Sequence, residues 1–126
     1  MVGIVVVSHS QKLAEAVVEL AHMVAKDADI CAAGGMDDGG LGTSYNKIEA
    51  AIEEVMSDDG VIVLMDMGSS VMTTELVLED LEDDRVQMVD CPVVEGAVAA
   101  AVLAAGGLPV DMVVAAAKEA GDTPKF

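Results

Sequence analysis

The sequence predicts a three-layer α/β/α domain on a mainly parallel four-stranded sheet, with strand order 2-1-3-4. Three observations carry that prediction. Short apolar runs such as VGIVVV and VIVLMD read as strands buried on both faces, the pattern of a parallel sheet. A helical period follows each run, so strands and helices alternate along the chain. The apolar complement, 21 Val and 19 Ala against one Tyr, one Phe and no Trp, consists of small and branched aliphatics suited to helices laid on a sheet. Without internal repeat or linker, residues 1–126 are expected to form a single domain.

Residues 2–7 give the first strand. Residues 11–25 follow as a helix, with Leu13, Ala16, Val17, Leu20, Ala21 and Val24 on its apolar face and Lys12, Glu15, Glu19 and His22 on a solvated one. A second strand covers about 30–33 and runs into the loop GGMDDGGLGTS. The next helix, about 44–56, buries Tyr45, Ile48, Ile52 and Val55. After the Asp58-Asp59-Gly60 turn comes the clearest strand, 61–66, and Gly68-Ser69-Ser70 caps a helix over about 70–82. Residues 86–90 form the fourth strand, and Cys91-Pro92 ends it. An almost wholly apolar helix, about 94–105, a Gly-Gly-Leu-Pro break and a last helix, about 111–119, complete the chain, with GDTPKF as a frayed tail.

Charge excludes some functions. Twenty-three acidic residues face five Lys and one Arg, a net charge of -17. Nucleic acid and anionic membranes both require a basic surface, so neither is an expected partner. Such an acidic shell suits a salt-rich, halophilic source, because at molar salt the Debye length is only about 3 Å and self-repulsion is screened. No basic, apolar leader opens the chain and no run reaches membrane-span length. Cys31 and Cys91 sit in apolar contexts and read as buried, reduced thiols, so a cytoplasmic location is expected. The nine methionines read as core or rim packing.

In a sheet of this order, ligands sit beyond the carboxyl ends of the strands where the order reverses, here between strands one and three. Ser8-His9-Ser10 ends the first strand and Asp66-Met67-Gly68-Ser69-Ser70 ends the third, so His9 and Asp66 are expected side by side. A carboxylate on one imidazole nitrogen fixes the tautomer and leaves the other as a nucleophile, as a phosphohistidine carrier requires. Ser10, Thr43, Ser69 and Ser70 open helices around that point and are candidate phosphate-binding residues. Ser10 and Ser69 also fit as plain helix N-caps. The glycine-rich loop lacks Gly-Lys-Ser/Thr and is not a nucleotide loop; its Asp37 and Asp38 read as a solvated turn, with a held cation as the alternative. No metal site and no cofactor are expected.

The phrases IVVVSHSQKLAEAV, AAGGMDDGGLGTS, VIVLMDMGSS and VVEGAVAAAV, spread over residues 4–102, resemble the mannose-family enzyme IIA of the phosphotransferase system. Within it, DMGSS favours the branch that serves as phosphoryl donor to dihydroxyacetone kinases. The resemblance implies that His9 accepts a phosphoryl group from the phosphocarrier HPr on the nitrogen remote from the backbone. It implies donation to ADP held on the kinase's nucleotide-binding subunit, a ring-orienting role for Asp66, and a homodimer. A sugar-transport enzyme IIA is the runner-up. A signalling receiver phosphorylated on Asp66 would need an acidic pair after its first strand, where this chain has Ser8-His9, and a Lys late in the fold, yet none lies between Lys47 and Lys118. For a tetrapyrrole chelatase the chain offers no second ligand.

Overall fold

The computed structural model describes residues 1–126. Its elements in chain order are β1 (Gly3–Ser8), α1 (Gln11–Val24), β2 (Ile30–Gly34), α2 (Tyr45–Glu54), β3 (Val61–Met65), α3 (Ser69–Leu81), β4 (Val86–Met88), α4 (Val93–Ala105) and α5 (Val110–Glu119). The four strands are all parallel and lie in the order β2-β1-β3-β4, as expected. Val5 pairs with Cys31 on one side and Val63 on the other, so β1 and β3 occupy the middle of the sheet.

Alternate residues of these strands feed two cores. Ile4, Val6, Ile62 and Leu64 face α1, α4 and α5, whose contacts are chiefly alanines: Ala14, Ala21, Ala97, Ala100 and Ala104. Val5, Val7, Val63 and Met65 face α2 and α3, where Ile48, Ile52, Val55 and Val77 fill more space per residue. The strand side chains on both sides are almost wholly shielded from solvent, which explains why their runs show no alternation.

Several elements depart from the sequence expectation. On α1 the buried residues are Ala14, Val17 and Ala21, whereas Leu13, Leu20 and Val24 are exposed, with Met23 beside them. Small side chains let the helix approach the sheet closely, and the larger ones are displaced outward. The fourth strand ends at Met88, although the Val89 N–H still donates to the Val63 carbonyl at 3.0 Å. His22 is not simply solvated: its Nε2 lies 3.1 Å from the Ala28 carbonyl, tying the end of α1 to the turn that follows. Tyr45 is half-buried and donates its hydroxyl to Asp80 on α3. The exposed tail is tethered by a Lys125–Glu95 ion pair of 3.0 Å. Both cysteines are free and half-buried rather than fully buried; burial pushes the Cys31 thiol up to about 12 and Cys91 to about 11.

Candidate functional site

The carboxyl ends of β1 and β3 place two chain segments 57 residues apart in direct contact. β1 hands over to α1 through Ser8-His9-Ser10, and β3 to α3 through Asp66-Met67-Gly68. Helix α1 starts at Gln11 because the Ser10 hydroxyl accepts from the Leu13 N–H at 3.2 Å, satisfying one free first-turn amide. Helix α3 starts differently. Gly68 is its N-cap, with φ 48° and ψ −115°, a backbone conformation at which a side chain would be strained. Ser69 is therefore not the cap its sequence position suggested, and both serine hydroxyls at the head of α3 are free to face the strand ends.

They face His9. The imidazole Nδ1 lies 3.0 Å from Asp66 Oδ1, and Nε2 lies 2.6 Å from Ser69 Oγ. Ser70 Oγ donates to Asp66 Oδ1 at 2.7 Å and sits 3.2 Å from Nδ1. The Met67 N–H also donates to Oδ1, at 2.7 Å. The second carboxylate oxygen, Oδ2, accepts from the His9 backbone N–H at 3.0 Å and from the Ser8 hydroxyl at 2.9 Å. Burial by itself would raise the Asp66 carboxyl, but the hydrogen bonds from His9 N–H, Ser70, Met67 N–H and Ser8 outweigh it and hold the group well below the usual carboxylate range. Asp66 is thus an ionised acceptor, so Nδ1 carries the imidazole proton and the Nε2 lone pair accepts from Ser69.

The ring's backbone is equally constrained. The His9 carbonyl accepts from Gly42 N–H at 2.8 Å, which brings the glycine-rich loop against the histidine. Gly34, the β2 partner of Ser8, has no room for a side chain: a Cβ there would lie 2.6 Å from the Ser10 carbonyl oxygen. The histidine side chain is 27% exposed and that of Asp66 14%, so the ring reaches solvent while its carboxylate stays largely covered. A cleft of about 350 Å³ opens beyond Asp66 between the ends of β3 and β4, walled by Met65, Val71, Met88 and Cys91. Its mainly apolar wall leaves the carboxylate few competing partners on that side.

Of the residues singled out from sequence, His9, Asp66, Ser69 and Ser70 come together in one hydrogen-bonded cluster. Ser10 stands beside it as the cap of α1. Thr43 reaches α3 instead, its hydroxyl 3.0 Å from that of Thr73. Asp37 accepts from Ser44 and Asn46, and Asp38 from the Gly40 N–H, so both carboxylates serve their own loop. No group of three His, Cys, Asp or Glu side chains is arranged to hold a metal ion. Sequence reading missed Ser8; the available signal was a serine two residues before an amide at a strand end, where hydroxyl-to-backbone turns form.

The arrangement presents one imidazole nitrogen, at the surface, among hydroxyls and at the amino ends of α1 and α3, whose dipoles favour negative charge. Residues 3–114 match the family model EIIA-man, PTS system fructose IIA component. The chain is 41% identical over 121 residues to the phosphoryl donor subunit DhaM of the PEP-dependent dihydroxyacetone kinase of Escherichia coli (strain K12), covering 90% of this chain and 26% of that one. To the phosphotransferase subunit DhaM of the PTS-dependent dihydroxyacetone kinase of Lactococcus lactis subsp. lactis (strain IL1403) it is 37% identical, covering 83% of this chain and 84% of the relative. The chain thus spans about a quarter of the longer relative and most of the shorter. A crystal structure of a protein of unknown function superposes with a TM-score of 0.85 at 33% identity, over 99% of this chain and 98% of the other.

Proposed function

Because the chain belongs to the EIIA-man family of phosphotransferase-system components and to its DhaM branch, we propose that it is a phosphohistidine carrier working through His9 Nε2. It takes a phosphoryl group from the carrier HPr and gives it to ADP on the nucleotide-binding subunit of a dihydroxyacetone kinase, within glycerol metabolism. Residues 1–126 act as a single cytoplasmic domain, working as a homodimer, in a halophilic source whose acidic surface suits a salty cytoplasm.

One observation carries the reading. Asp66 holds Nδ1 at 3.0 Å with the proton on that nitrogen, so the nucleophilic lone pair belongs to Nε2 and points to the surface. In the transfer, that lone pair attacks phosphorus as the donor's P–N bond breaks in line and its electron pair returns to the donor imidazole. Positive charge developing on the His9 ring is stabilised by Asp66, which keeps the Nδ1 proton in place. Ser69, 2.6 Å from Nε2, releases the nitrogen and turns its hydroxyl to the incoming phosphoryl oxygens; Ser10 and the amino ends of α1 and α3 share their charge, while Ser70 stays committed to Asp66 and Thr43 to Thr73. In delivery, a β-phosphate oxygen of ADP attacks phosphorus in line, the P–N bond breaks and its electron pair returns to Nε2 of His9. The relatives at 34–41% identity named as DhaM favour the kinase as acceptor over a sugar transporter.

The test is intact mass in high salt after incubation with phosphoenolpyruvate, enzyme I and HPr, beside His9→Ala. The expected result is one acid-labile phosphoryl adduct on the wild type and none on the variant. Addition of the kinase subunits with ADP should then discharge it. A wild type that stays unmodified while HPr is charged would end the proposal.

A further inference from the structure

The Ser8 hydroxyl is the part of the cluster that the carrier mechanism leaves unused. Ser8 is the last residue of β1 and is buried, at 1% exposure, although it lies next to a histidine that reaches solvent. Its Oγ accepts from the Ser10 N–H at 3.0 Å and donates to Asp66 Oδ2 at 2.9 Å. Neither end of this pair is reversible. An amide N–H only donates and an ionised carboxylate only accepts, so the hydroxyl proton must lie toward Asp66.

Two constraints on His9 follow. The Ser8-to-Ser10 hydrogen bond closes a turn around His9 and fixes its backbone, which aims the His9 N–H at the same Oδ2 at 3.0 Å. Oδ2 takes two donors from the β1 side, while Oδ1 takes Met67 N–H and Ser70 from the β3 side, so the carboxylate plane is pinned from both strand ends with Oδ1 toward the ring. We infer that Ser8 is a positioning residue that selects the Nδ1–H tautomer of His9, and so dictates which ring nitrogen is open to phosphoryl transfer. The consequence for catalysis rests on the carrier reading above; the tautomer selection does not.

Three variants separate the hydroxyl from its volume: Ser8→Ala removes it, Ser8→Cys keeps the size with a poor donor, and Ser8→Thr restores it. The first measurement is nitrogen-15 NMR of the His9 ring in the unphosphorylated protein. A single Nδ1–H tautomer is expected for wild type and Thr, and a mixture of both tautomers for Ala and Cys. The second is the rate of adduct formation from phosphorylated HPr. Ala and Cys should lose roughly 10- to 100-fold in kcat with KM for HPr unchanged, and Thr should recover most of it.

Retention of the wild-type tautomer and rate in Ala and Cys would overturn the inference. So would loss in Ala and Cys without rescue by a Thr variant of unchanged melting temperature, which would assign the effect to shape at the strand end. If the wild type forms no adduct at all, the carrier reading fails, and the NMR comparison still decides the role of Ser8.

Discussion

Asp37 and Asp66 both lie beyond strand ends, and they make opposite use of similar chemistry. Asp37, in the loop after β2, accepts from Ser44 and Asn46, seven and nine residues away along the same stretch of chain. Asp66, after β3, accepts from Ser8 and from both the backbone and the ring of His9, 57 or 58 residues away, as well as from Met67 and Ser70 beside it. Asp37 is exposed and staples one loop; Asp66 is covered and joins two loops. The residue type and the donor types are nearly the same. What separates a loop staple from a junction between two strand ends is whether the donors come from the neighbourhood or from across the sheet.

The strongest way to break that comparison is to neutralise each carboxylate in turn. Asp66→Asn should slow phosphoryl transfer to His9 by roughly 10²- to 10⁴-fold, because the amide neither fixes the Nδ1 proton nor stabilises the charged ring. The fold should survive at a cost of about 1–3 kcal/mol, the scale for losing hydrogen bonds to a charged group. Rapid-quench transfer from phosphorylated HPr, beside a urea melt, measures both. An unchanged rate would place Asp66 with Asp37 as a structural turn residue.

Acid offers a smaller effect that sharpens the contrast. Asp66 is held below its ordinary range in the folded protein, so its contribution is fully present above about pH 5 and is lost as pH falls through the ordinary Asp range near 3.9 and below. In that window the unfolded chain binds the proton first and stability declines. The difference in urea midpoint between pH 7 and pH 3.5 should therefore be larger for the wild type than for Asp66→Asn. Equal differences would mean that the carboxylate is not held down by the fold. The smallest effect is expected for Asp37→Asn. That carboxyl is also held low, chiefly by the Ser44 hydroxyl, but it is exposed and screened by solvent, so the urea midpoint should barely move and transfer should keep its wild-type rate.

The sheet and the meeting of His9 with Asp66 were legible because few physical rules decide them. Val2 to Val7 and Val61 to Met65 are too uniformly apolar to be anything but strands buried on both faces, and strand order then fixes which ends are neighbours. Finer features depended on facts no periodicity encodes. On α1 the large apolar residues Leu13, Leu20 and Val24 form the more prominent stripe in the sequence, yet Ala14, Val17 and Ala21 give the closer helix-to-sheet contact. Ser69 looked like a cap, and only the positive φ of Gly68 one residue earlier frees its hydroxyl for the ring. The His22 bond to Ala28 and the Thr43 bond to Thr73 depend on how two loops pack, which the sequence does not spell out locally.

The span of 57 residues bridged by Asp66 also sets a clock. A loop held by its own neighbours can fray and re-form on the timescale of local motion without disturbing the rest of the chain. The histidine has no such private freedom. Its amide, its ring and the serine before it are all tied to a carboxylate at the end of the adjacent central strand, so its backbone is anchored through the β1–β3 pairing. The backbone that carries the ring is thereby held by the most buried pair of strands in the sheet rather than by its own loop.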